Sequence, residues 1–203
     1  NIDTLQIGGS AIGLVHLSDV QKINNSIFIG HLAPNQDSAE HNVSIHPTAL
    51  DSITEGDGNV AIGKDAGTAL TTGSNNVFIG YEAGISSTSA SDAIAIGYQS
   101  MQAEDAGIGR TNGSVGIGYE ALKAQNMSGS AAYNVAMGYT AGKSLTTPVG
   151  SVFIGGFAGA AVSTGQYNTA MGYEALKTED AHGNNTSIGY NALKLLNAGA
   201  EGY

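Results

Sequence analysis

The stretch "NNVFIGYEAG", Asn75 to Gly84, decides the fold because the chain writes it again and again. Near copies are "GNVAIGKDAG" (Gly58 to Gly67), "YNVAMGYTAG" (Tyr133 to Gly142) and "YNTAMGYEAL" (Tyr167 to Leu176). Aligned on the glycine that closes the apolar run, the units fall at Gly13, Gly30, Gly63, Gly80, Gly97, Gly118, Gly138, Gly155, Gly172 and Gly189, with His46 in the same place in "VSIH". The period is 17 residues, widened by insertions at "EDAGIGRTNG" and around "NMSGSAAY". Insertions that leave the motif intact on both sides bulge from loops at a turn of the repeat.

A 17-residue unit is too short for a helix pair or a propeller blade. It suits one coil of a parallel β-solenoid, read as two short strands and two turns, and no unit carries a 3.6-residue apolar period. Gly, Asn, Ser and Thr between the apolar runs are turn chemistry. The expected fold is therefore all-β, a β-roll of 17-residue coils. Residues 1–25 are expected to form an N-terminal cap or junction. Residues 26–203 form the repeat shaft, which is expected to continue beyond Tyr203, where "AGAEGY" stands at the start of a further unit.

Composition narrows the function. The 203 residues carry a formal net charge of -10, 30 glycines, no Cys and only 12% charged residues. That excludes a disulfide framework and a thiolate zinc site. It is too apolar for a disordered chain. The seven basic residues are scattered singly, so no basic patch offers itself to nucleic acid. No apolar run is long enough for a spanning helix, and membrane insertion is not expected.

Within the unit, the residues three before and one before the glycine are Val or Ile in most copies, as in Val77 and Ile79. Sharing one strand face, they are expected to line the coil interior, with the Ala three after the glycine marking a narrow roll. The position between them holds Phe28, Ala61, Phe78, Ala95, Ala136, Phe153 and Ala170, and carries no charge in any unit. A solvated strand face would carry polar residues. This face is therefore expected to be an interface, most simply that of a parallel homotrimer.

After the glycine come Tyr81, Tyr98, Tyr119, Tyr139, Tyr173 and Tyr190. The row reads foremost as a structural ladder, and together with Arg110 as candidate surface contacts. The next position, with Glu82, Glu120, Thr140 and Glu174, is polar and expected to face water. Asn42, Asn59, Asn76, Asn134, Asn168 and Asn185 precede the strand and are expected to bond from coil to coil and to accept left-handed backbone angles. Most of the Asn-x-Ser/Thr matches at Asn24, Asn42, Asn126, Asn184 and Asn185 are by-products of that ladder and weak evidence for glycosylation.

Catalytic chemistry finds little support. Glycoside cleavage needs two carboxylates at a defined separation. Here the acids are either phased with the repeat or isolated in loops, such as Glu104-Asp105 and Glu179-Asp180. His31, His41 and His46 cluster in sequence, but read as turn and surface residues rather than as metal ligands. "GSAIG" and "GIGRTNG" lack a P-loop lysine. No enzyme, cofactor or metal is expected.

"NNVFIGYEAG", "YNTAMGYEAL" and "NNTSIGYNAL" resemble the Gly/Asn-rich repeats of bacteriophage tail-fibre proteins. The "N-V-A-I-G" core is similar to the head repeats of trimeric autotransporter adhesins, whose units are usually shorter. The resemblance covers Ser26 to Leu193 and implies an elongated homotrimer with no catalytic residue. On it rests the expected function: a structural, adhesive segment of a tail fibre on the virion. Its expected partners are copies of itself, other fibre or virion components, and a host cell-surface glycan or protein receptor, met at the lateral loops Gln102–Ser114 and Gln125–Tyr133. A trimeric adhesin head on a bacterial outer surface is the alternative. An ice- or carbohydrate-binding solenoid is a third reading, weakened because Thr48, Thr140, Thr169 and Thr186 do not share one phase.

Overall fold

A computed structural model describes residues 4–7, 10–13, 20–30, 38–103, 113–126, 132–147, 149–178 and 181–196. Among them every regular element is a strand. β1 (Thr4–Ile7) and β2 (Ser10–Gly13) form a two-stranded antiparallel hairpin. β3 (Val20–Ile23) turns back through Asn24 and Asn25, both left-handed, to pair antiparallel with β4 (Ser26–Ile29). From β4 on, all pairing is parallel: β5 (Val43–Ile45), β6 (Val60–Ile62), β7 (Val77–Ile79), β8 (Ile94–Ile96), β9 (Val115–Ile117), β10 (Val135–Met137), β11 (Val152–Ile154), β12 (Thr169–Met171) and β13 (Thr186–Ile188). They stack in chain order in one 11-stranded sheet, each residue opposite its copy one coil away, as Val60↔Val77, Ala61↔Phe78 and Ile62↔Ile79. The chain is a parallel β-solenoid. At its first rung the antiparallel β3 covers an edge that would otherwise present unpaired backbone groups.

Each coil holds one strand, not the expected two. Its return wall is a stack of turns. Closing bonds within a turn run from the Ala66 N–H to the Gly63 carbonyl (3.2 Å) and from the Leu70 N–H to the Gly67 carbonyl (3.0 Å). Between coils the wall is laddered by the Gly67 N–H on the Ala83 carbonyl (2.9 Å) and the Ala69 N–H on the Ile85 carbonyl (3.2 Å). Left-handed residues two and four after the glycine, such as Asp65 and Gly67, curl this wall and forbid an extended second strand. The closing glycine is demanded by the stacking. Gly80 has φ +132°, and a Cβ there would stand 2.6 Å from the Gly97 carbonyl oxygen.

The strand faces are the reverse of the sequence expectation. Phe28, Ala61, Phe78, Ala95, Ala136, Phe153 and Ala170 are wholly buried inside the chain's own roll. They are the core and do not form an interface with neighbouring chains. Val77 and Ile79, expected inside, lie on the outer face and stay partly exposed, as do their counterparts in the other rungs. The reason is width. The turn wall lies so close to the sheet that the interior takes mostly Ala, Ser or Gly at the strand centre, and takes Phe78 and Phe153 where the wall opposite is bare. Phe78 faces Gly67 and Gly84, whose added Cβ atoms would come within 2.6 Å and 2.7 Å of its ring. Phe153 is enclosed by Gly142 and Gly159 in the same way. Where the centre is small, as at Ser44, Ala95, Gly116 and Ala170, the wall carries Leu50, Met101, Leu122 and Leu176, all buried.

The asparagine ladder forms. The Asn59 N–H and Nδ2 both donate to Asn42 Oδ1 (2.8 and 3.0 Å), and Asn76 repeats this on Asn59 (3.0 and 2.9 Å). Nδ2 of Asn76 also donates to the Ala90 carbonyl at 2.7 Å. These asparagines are buried, so Asn42 is spent in the ladder rather than offered for glycosylation. The left-handed backbone falls one residue earlier, on His41, Gly58, Asn75, Asp92 and their equivalents, and not on the ladder asparagines themselves.

Phe78→Ala should therefore destabilise the roll by about 3–5 kcal/mol, the cost of a large core cavity. Ile79→Ala, on the outer face, should cost a single chain much less. Urea unfolding of the two variants in a monomeric background carrying Val135→Lys and Met137→Lys on the outer face checks this; equal losses would contradict the face assignment.

Candidate functional site

With its small residues inside, the sheet turns its bulk outward. Two rows run the length of the outer face. One is Val43, Val60, Val77, Ile94, Val115, Val135 and Val152, ending in Thr169 and Thr186; the other is Ile29, Ile45, Ile62, Ile79, Ile96, Ile117, Met137, Ile154, Met171 and Ile188. Neither carries a charge. Ile45, Met137, Met171 and Ile188 count among the exposed large hydrophobics. Successive rungs lie about 4.8 Å apart and a three-residue strand spans about 10 Å, so ten rungs make an apolar strip of roughly 480 Å². That is the upper end of what a lone soluble chain leaves exposed.

The tyrosine row borders this strip at the strand ends and forms a stacked ladder. Tyr81 lies on Tyr98 at 5.3 Å between ring centroids, Tyr98 on Tyr119 and Tyr119 on Tyr139 at 5.0 Å each, with planes within 10° of parallel. At the next rung Gly156 takes the tyrosine's place. Phe157, one residue on, fills the gap with edge contacts to Tyr139 (5.2 Å) and Tyr173 (5.7 Å). Tyr173 then stacks on Tyr190 at 5.8 Å, and Lys64 sits over Tyr81 at 5.2 Å. The rings between spend their flat faces on one another and present edges and hydroxyls outward. As surface contacts they offer hydrogen bonds rather than stacking platforms. Arg110 and most of the two lateral loops lie outside the described residues, as do His31, Glu104, Asp105, Glu179 and Asp180.

The acidic row beside the tyrosines was expected in water. Instead Glu120, Thr140 and Glu174 are nearly covered. Glu120 receives Lys123 Nζ at 2.5 Å and Lys143 Nζ at 2.6 Å; Glu174 receives Lys177 Nζ at 2.6 Å and also Lys194. Each is a clamp joining one coil to the next. Burial pushes the Glu120 carboxyl up, but the hydrogen bonds and charges of Lys123 and Lys143 outweigh it and hold it below the usual range. Hydrogen bonds from Lys177 and Lys194 hold Glu174 down likewise. Glu82 uses neutral donors, Gln99 Nε2 (2.7 Å) and Gln102 Nε2 (2.6 Å).

At the opposite edge of the strip, before the strand, the left-handed corner holds Gly58, Asn75, Asp92, Gly113, Tyr133, Gly150, Tyr167 and Asn184 in successive rungs. Sequence reading passed over Tyr133 and Tyr167. Their signal is the exception they make in a row otherwise suited to positive φ.

Among the described residues no group of three His, Cys, Asp or Glu side chains could hold a metal ion, and no helix is long and apolar enough to cross a membrane. No family model, curated protein or solved structure matches the chain.

The clamps set a pH dependence. Glu120 and Glu174 titrate lower folded than unfolded, so their stabilisation is complete above about pH 4.3, the ordinary carboxylate value, and is lost as pH falls through their depressed values. The thermal midpoint followed by circular dichroism should drop on that acid side. The Glu120→Gln, Glu174→Gln double variant should start lower at pH 7 and show a flatter acid limb.

Proposed function

We propose that this chain is a structural and adhesive segment of a phage tail fibre, assembled as a parallel homotrimer that holds host receptor-binding surfaces on a stiff rod. The observation that carries the reading is the uncharged Val/Ile strip. Isolated β-branched residues on a surface need no explanation, but two uncharged rows side by side, seven rungs of Val or Ile beside ten of Ile or Met, do. A strip that repeats every rung is complementary to a copy of itself in parallel register. Three copies closing round a common axis would bury all three strips at once and leave no open-ended contact. Burial in a trimer would take out of water the apolar area that the narrow roll cannot enclose.

The adhesive part of the proposal rests on the resemblance of "NNVFIGYEAG" and "NNTSIGYNAL" to tail-fibre repeats, and on the two insertions that widen the 17-residue period in the sequence. Function in such a rod is display: the solenoid fixes spacing, and loops or surface side chains make weak contacts that act together. Nothing in this function asks for a catalytic pair, in keeping with acids committed to lysine and glutamine clamps.

Sedimentation velocity should find the wild type at three times the chain mass. Val77→Lys with Ile79→Lys should give a folded monomer, because the substituted side chains point out of the roll; Ala95→Glu should prevent folding. A wild-type monomer, soluble and stable, would overturn the trimer. Immunogold labelling with antibody against the chain should mark virion tail fibres; labelling of a bacterial outer surface instead would select the adhesin-head alternative.

A further inference from the structure

The left-handed corner before each strand changes character along the rod. In its first rungs it is polar and acidic, with Glu40, Asp57 and Asp92 among its residues. In its last four described rungs it reads Ala132-Tyr133, Val149-Gly150, Gln166-Tyr167 and Gly183-Asn184, without a charge. Tyr133 has φ +50° and is 59% exposed; Tyr167 has φ +56° and is 57% exposed. Bulky residues rarely hold such backbone angles, and when they do the surroundings impose them. Here the corner is imposed by the coil-to-coil ladder: the Tyr167 N–H donates to the Val149 carbonyl at 3.0 Å, as the Gly150 N–H does to Ala132 at 2.9 Å.

The neighbours of the two rings are matched to them. A Cβ on Gly113 would stand 3.0 Å from Cδ1 of Tyr133, and one on Gly150 the same distance from Cδ1 of Tyr167. Each ring is thus braced at one edge on bare backbone. The two rings stand two rungs apart, about 9.6 Å, the Tyr133 ring resting over Gly113 and the Tyr167 ring over Gly150. Unlike Tyr81 and Tyr98, they are not consecutive rungs of a stack.

We infer that Tyr133 and Tyr167 form a binding site for a neutral, extended polysaccharide, with alternate sugar rings resting on the two tyrosines and the chain lying along the rod. The ring spacing is close to the advance of two pyranose units in an extended glycan. Tyrosine supplies flat apolar area for the C–H face of a sugar and a hydroxyl for its rim, with little side-chain entropy to lose. Exposed Gln166 and Asn184 lie beside the rings in the same corner and offer amide donors and acceptors. The uncharged stretch suits a neutral glycan over an anionic one. The inference gives a receptor class to the fibre reading and takes its purpose from it. Its geometry lies within a single chain.

Affinity electrophoresis of the whole protein through gels containing hydroxyethylcellulose, galactomannan or alginate tests it. The neutral polymers should retard the wild type and alginate should not. Tyr133→Asn with Tyr167→Asn should abolish retardation, each ring being worth about tenfold in affinity, while Tyr98→Ala should leave it unchanged. Because asparagine suits the corner better, the double variant should melt no lower than wild type. Retardation by neither neutral polymer, or equally by alginate, would overturn the inference. So would a double variant that melts several degrees lower, since the rings would then be structural, or a surface that captures only protein. Trimer failure would show in sedimentation and leave these gels unaffected, so the two readings fail separately.

Discussion

Everything in this molecule depends on in-register stacking of one short rung on its copy. Because Val60 lies on Val77, Ala61 on Phe78 and Ile62 on Ile79, every strand residue lies opposite its copy one coil away, and its N–H meets a carbonyl there, as Val60 N–H meets the Asn76 carbonyl at 2.8 Å. From Gly63 to Gly172 the closing glycines stack so closely that an added Cβ would stand within 3.0 Å of the next rung's backbone; His46 holds the same position nearer the first rung. The register leaves a thin interior, whose filling is a matter of volume rather than hydrophobicity. Phe78 and Phe153 are admitted because Gly67, Gly84, Gly142 and Gly159 stand opposite; Leu50, Met101, Leu122 and Leu176 are buried on the wall of rungs whose strand centre is small, Met101 lying against Gly116 of the next coil. One large side chain is traded across the roll for another.

That constraint moves the larger apolar mass outside. An ordinary sheet packs its Val and Ile against a second layer and keeps its small or polar residues for water. Here the second layer is a turn wall too near to receive them, so the rows containing Val77 and Ile79 face outward together. The same closeness makes the strand too short to hold register by itself. The ladders take over: buried asparagines on one corner, stacked tyrosines on the other, and the Glu120 and Glu174 clamps beside them. A rod of this kind is fully paired along its length while one flank stays apolar. That is the physical basis for proposing that it works with its strips covered by copies of itself.

The period, the parallel solenoid and the asparagine and tyrosine ladders were legible in the sequence, because identical residues at a fixed spacing of 17 must stack. The strand faces were not. Both lack charge, so polarity could not choose between them, and hydrophobicity favoured Val and Ile as the core. The deciding signal was a correlation between positions: Phe78 and Phe153 at the strand centre each have Gly on the wall of their own unit and of the unit before, Gly84 and Gly67 for Phe78, Gly159 and Gly142 for Phe153, whereas Ala95 comes with Met101 and Ala170 with Leu176. Residues that exchange volume in this way share one interior. The second strand was misread because short apolar runs do not reveal left-handed turns. Glu120 and Glu174 were misread because acids beside a repeat look solvated until their lysines, one of them on the next coil, are seen.

Positive backbone angles draw attention to the tyrosine corner. In a typical rung three non-strand positions, besides the closing glycine, take left-handed angles. Where they hold Gly, Asn or Asp, the strain is small. Where Leu50, Met101, Leu122 and Leu176 hold them, burial of a large side chain offsets it. Phe157 gains two aromatic edge contacts, and Glu120 and Glu174 gain ion pairs. Tyr133 and Tyr167 adopt the same angles, yet more than half of each side chain stays in water. Their contact with the rung before is a glycine edge that asparagine could replace without loss. They share this with His41 and Leu193, which also hold left-handed angles while largely exposed; what sets the two tyrosines apart is that both stand on one uncharged flank, where a ligand could supply the missing contact.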